Sequence, residues 1–170
     1  MTAAAPAKYA EQFVFLCDAK TEDVHDALLA VGGTNAVHYA GADAKKHAGL
    51  RPDTKPEDYL QGDPVLISIG WREGEKWREL PYEAFAMEKV TVEGGDVVKP
   101  WTPHFVFHGS GALHGAGTGC LACPNDCPGG IITDNRNPIA DPKPVLKFDW
   151  SRAPAPGTEI TIRFRLIGSK

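Results

Sequence analysis

The chain has 170 residues, 42% of them hydrophobic and 24% charged, with a formal net charge of −4 at pH 7. That length buries a core without help from disulfides or metal, and the absence of basic runs argues against nucleic acid. No apolar stretch is long enough for a transmembrane helix.

The first ten residues lack the hydrophobic middle of a signal peptide. Their small residues equally suit the start of a mature exported chain behind an added methionine. They are expected to be flexible, leaving 11–170 as one domain. Gln12 to Cys17 is short, apolar and rich in β-formers, which predicts a buried strand. Thr21 is the expected N-cap of a helix, with Glu22 and Asp23 in its first turn. Val24, Ala27, Leu28 and Val31 keep helical spacing, and Gly32-Gly33 stops it. His25 is expected on the solvated side.

Residues 35–62 are polar and irregular, a predicted surface loop with one helical turn near 56–60; His38 and His47 are expected to be solvated there. Val65, Ile67, Ile69 and Trp71 alternate, so a half-buried strand follows, turning at Gly74 into Trp77–Leu80 as its hairpin partner. Pro81 to Met87 suits a short helix entered through proline. His104 to His108 predicts another strand, with its two histidines sharing a face about 13 Å apart. Ile131–Thr133 is a short strand, 138–144 extended coil, and 158–167 a closing strand with Ile160, Ile162, Phe164 and Leu166 facing in. The expected class is α+β: one domain, mostly antiparallel or mixed β, with one clear N-terminal helix and a Gly/Pro-rich cysteine loop at 117–130.

Three of the four cysteines, Cys120, Cys123 and Cys127, fall within eight residues as C-x2-C-x3-C-P. Bacterial ferredoxins close their cluster run with the same spacing. Here Gly117 stands where the run's first cysteine would be. Disulfides within this triad would close only tiny loops and remove little entropy from the unfolded chain. The first expectation is therefore an iron–sulfur cluster, of the [4Fe–4S] type, held by Cys120, Cys123 and Cys127. Cys17 is the expected fourth ligand, because it is the one spare cysteine; His108 or His114 is the alternative. Cys17 also has a plain reading as a small buried hydrophobe.

A structural zinc site is the rival expectation, although zinc sites usually pair two distant cysteine knuckles. No nucleophile elbow, phosphate loop or zinc-protease signature occurs, so no catalytic residue is assigned.

Several phrases resemble the YdjY-domain family of bacterial proteins. They are Phe15 to Lys20 leading to Asp23–Leu29; Gly62-Asp63-Pro64-Val65; Trp77-Arg78-Glu79-Leu80-Pro81; Phe105 to Gly111; and Pro156-Gly157-Thr158. The resemblance covers most of 11–167. It implies an exported, periplasmic setting, with a cytoplasmic one left open by the missing signal peptide. Some relatives are described as ferredoxin-type iron–sulfur proteins, and many lack the dense cysteine run.

Three roles stay open. One is an electron carrier or redox subunit that docks a protein partner. The second is a non-redox binding or scaffold domain with structural zinc. The third is an enzyme using an open cluster iron as Lewis acid.

Overall fold

The computed structural model describes residues 2–4, 15–36, 62–109, 120–125, 130–137 and 145–168. The expected α+β class holds: among the described residues one α-helix accompanies three sheets, mostly antiparallel or mixed. The chain divides into two compact units. One comprises Met1–Val65, His104–Pro142 and Leu166–Lys170, the other Leu66–Pro103 and Lys143–Arg165. Predicted elements at 12–14, 56–60 and 138–144, together with His38, His47, His114 and Cys127, lie outside the described residues.

The first unit is built on a five-stranded sheet. Its strands are β1 (Thr2–Ala4), β2 (Phe15–Cys17), β7 (Phe105–Phe107), β8 (Cys120–Cys123) and β9 (Ile132–Asp134), in the order β2-β1-β8-β9-β7. β1 runs parallel to β2 and antiparallel to β8; β9 is parallel to β8 and antiparallel to β7. Thr2–Ala4, expected to be flexible, is thus an interior strand. Phe107, Leu121, Ile131 and Ile132 are fully buried and make the core of the unit.

The α-helix of this unit among the described residues, α1 (Thr21–Ala30), follows β2 after three residues and packs on β8. Its N-cap is Lys20, in extended conformation and without a side-chain cap, rather than Thr21, whose hydroxyl instead donates to Glu22. His25 and Leu28 form its buried face.

The loop after α1 is fixed by close approach. A Cβ on Gly33 would meet the Leu28 carbonyl at 2.7 Å and Leu166 at 2.8 Å. A Cβ on Gly62 would collide with the Phe107 carbonyl. Asp63 then ties two segments together: its carboxylate accepts the Thr34 N–H at 2.7 Å, and its carbonyl accepts the Phe107 N–H at 2.8 Å.

The second unit holds two three-stranded sheets. In one, β3 (Val65–Glu73, from Leu66 on) pairs with β4 (Lys76–Pro81), and β11 (Ile160–Leu166) lies on its other side. The predicted alternation is present in both long strands: Val65, Ile67, Ile69 and Trp71 are buried in β3, and β11 alternates half-buried with exposed residues. The Trp77 indole lies over Gly70, where a Cβ would collide with it.

In the other sheet β10 (Val145–Phe148), β5 (Ala86–Val92) and β6 (Gly95–Pro100) form the order β10-β5-β6. The helix expected over 81–87 is only a 3-10 turn at Tyr82–Ala84, after which the chain enters β5. Phe85 closes that turn with no exposure and stacks on Phe148, their ring centroids 5.4 Å apart. Burying a ring of this size contributes about 2 kcal/mol.

Candidate metal centre

The cysteine run does not begin as a loop. Leu121 and Ala122 are apolar and buried, so Cys120–Cys123 extends as β8 between β1 and β9. Glycine and proline are frequent in the flanking sequence, and the four residues of the strand contain neither.

This places the cysteines by register. Cys17 ends β2 opposite Ala4, and Cys120 begins β8 opposite Ala3. One strand separates them, so their backbones stand about 10 Å apart, two strand spacings. Cys123 lies at the far end of β8, about 10 Å from Cys120 along the strand and about 15 Å from Cys17. Neither Cys17 nor Cys123 is in a disulfide.

Cys123 is buried and pairs in register with Thr133 of β9. The Thr133 hydroxyl has no exposure and no hydrogen-bond partner among the described residues. A hydroxyl so placed fits a donor to a thiolate or sulfide. The backbone beyond Cys123 is pinned by buried Asn137, whose amide donates to the Pro124 carbonyl at 2.6 Å.

The histidines separate sharply. His108 is fully buried just past β7, and its N–H donates to the Ile131 carbonyl at 2.8 Å. It therefore stands at the same end of the sheet as Cys17 and Cys120. His104 precedes β7 and is exposed; its Nε2 lies 2.9 Å from Arg136 Nη1.

His25, expected in solvent, is instead 6% exposed, its ring edge-to-face with Phe107 at 5.4 Å between centroids. Its Nδ1 sits 3.1 Å from the Asp26 carboxylate, while Nε2 has no partner among the described residues. The signal for this burial was in the sequence: His25 lies three residues before Leu28, on the apolar side of the helix.

Among the described residues no three His, Cys, Asp or Glu side chains converge as a ready metal cage. A disulfide needs Cα atoms within about 7 Å. The Cys17–Cys120 backbone span exceeds that of a disulfide.

A family model for the YdjY domain matches residues 1–165. The chain belongs to the YdjY-domain family. The match runs through both compact units and includes β1, α1 and the cysteine run. No curated protein and no solved structure matches the chain.

Proposed function

We propose that this YdjY-domain protein binds an iron–sulfur cluster at the Cys17–Cys120 end of its five-stranded sheet and acts as an electron carrier or redox subunit. The observation that carries the reading is the one-strand separation of Cys17 from Cys120, about 10 Å, too wide for a disulfide, which leaves both thiols to a shared centre. The thiolate-rich run supports it through its ferredoxin-like spacing. The glycine-rich sequence around the run is rich in backbone amides of the kind that tune cluster sulfurs. Such a cluster, when bound, takes up and returns one electron. The chain's own residues hold it, exclude water and leave the rest of the acidic surface to a redox partner.

Anaerobic expression followed by iron and acid-labile sulfide analysis tests this directly. The expected product is brown, with broad absorption near about 400 nm and a reversible one-electron wave in protein-film voltammetry. Stoichiometric zinc with no sulfide would sink it in favour of a scaffold domain with a structural ion.

A further inference from the structure

We infer that the outer face of the β11-β3-β4 sheet binds a free α-amino acid with an apolar side chain, its carboxylate held by Arg165 and its ammonium by Glu83. The site lies wholly within the second unit and is independent of the cluster reading.

The cleft follows from the strand pattern. Val65, Ile67, Ile69 and Trp71 of β3 are buried, so Leu66, Ser68 and Gly70 stand on the opposite face. Glu79 pairs with Gly70 and Pro81 with Ser68, so these β4 residues share that face. On β11 the exposed Arg163 and Arg165 flank half-buried Phe164. The central strand thus sets the short Ser68 and Gly70 between long side chains of its two neighbours, which leaves a trough. The Trp77 indole fills it over Gly70. The rest stays open as a cleft of about 400 Å³, whose lining includes Leu66, Ser68, Glu79, Pro81, Glu83 and Arg165. Sites for small molecules have volumes of about 300–1,000 Å³.

Charge decides what fits. Glu79 is fully engaged: its carboxylate accepts the Ser68 hydroxyl at 2.6 Å, the Trp77 Nε1–H at 3.2 Å, and Arg163 Nη1 at 2.7 and 2.9 Å. Glu79 and Arg163, which also lines the cleft, therefore compensate one another. The side chains of Arg165 and Glu83 have no ion pair or hydrogen bond among the described residues. A guanidinium fork suits a carboxylate, and a carboxylate suits an ammonium. A simple anion in this cleft would meet Glu83 and a simple cation would meet Arg165, so like charge disfavours both. A zwitterion answers both groups. Leu66 and Pro81 then offer apolar surface to its side chain.

The test is calorimetric titration of the full chain with L-leucine, with 4-methylpentanoate, which lacks the amine, and with 3-methylbutylamine, which lacks the carboxylate. Leucine is expected to bind saturably below about 10 mM, and each analogue at least about tenfold more weakly, because each loses one charge-assisted contact. Arg165→Gln should weaken leucine binding by a similar factor and leave the amine unchanged. Glu83→Gln should weaken leucine binding and leave 4-methylpentanoate unchanged. Neither side chain makes a contact of this kind that holds the fold, so both variants are expected to fold.

Three results would each overturn the inference: no saturable leucine binding, leucine binding that both variants leave unaltered, or 4-methylpentanoate bound as tightly as leucine. None of these measurements depends on iron or sulfide, so the cluster reading is judged separately.

Discussion

Asp134 is 2% exposed, and each of its carboxylate oxygens accepts a backbone N–H: Oδ2 from His104 at 3.0 Å and Oδ1 from Arg136 at 2.8 Å. Burial nonetheless dominates, and pushes its pKa above the ordinary 3.8 against the lowering effect of those two donors. Hydrogen bonds to charged groups contribute about 1.5–3 kcal/mol each. Asp134→Ala is therefore expected to cost about 2–3 kcal/mol in urea denaturation. The pH dependence has an unusual sign. Between 3.8 and its raised native value, the folded state holds a proton that the unfolded state has released, so the wild type loses stability as pH rises through that window. The gap between wild type and Asp134→Ala should narrow as pH rises above about 4. A gap that widens with pH would show that the carboxylate is stabilised by its surroundings.

At the scale of elements, β1 works as a spacer. Because it sits between β2 and β8, air-purified protein should show no Cys17–Cys120 crosslink in non-reducing peptide mapping. Finding that crosslink would mean β1 is not between them. The strands that were legible in the sequence are those with one buried side: Val65 to Trp71, and Ile160 to Leu166. The β5–β6 hairpin left no such trace. All six residues of β6 are exposed, and its register is held by charge, with Glu88 opposite Lys99 at 3.0 Å and Lys89 bonded to Asp96. Alternation of apolar residues cannot report a strand that buries nothing.

The candidate site was half legible for a related reason. Residue type and spacing marked the cysteines, but only tertiary pairing turned Cys120–Cys123 from loop to strand and drew His25 inward. His25 did carry a sequence signal, its place three residues before Leu28, but its polar type pointed the other way. His108 was the exception: its place at the end of an apolar strand already pointed to the cysteine end.

For the whole molecule, the two units carry different probes and respond oppositely to acid. All four tryptophans, Trp71, Trp77, Trp101 and Trp150, belong to the second unit, and all four cysteines to the first. In the second unit three carboxylates lie below their usual range. Glu79 is lowered by hydrogen bonds from Ser68 and Trp77 and by Arg163, Asp96 by Lys89 and Thr91, and Asp149 chiefly by Ser151. Groups of this kind stabilise the fold above their unfolded values of 4.5 and 3.8, and that support disappears as pH falls through the lower native values. Asp134 in the first unit does the reverse. Acidification below about pH 4 should therefore shift tryptophan emission before cysteine reactivity toward a thiol probe changes. Simultaneous loss of both signals would show that the units unfold as one.

The interior position of Thr2–Ala4 also sets an order of assembly. The hairpins of the second unit join neighbours in sequence, β3 with β4 and β5 with β6. The five-stranded sheet must instead bring Ala3 to Cys120, at opposite ends of a long intervening chain. Contacts that distant form late, because the chain entropy is lost before the pairing repays it. During synthesis the first strand has no β8 to join until residue 120 has been made. In refolding from denaturant, tryptophan fluorescence should recover ahead of thiol protection, and the reverse order would contradict this sequence of events. The amino-terminal residues are the keystone of the sheet, set in place after the arch around them has risen.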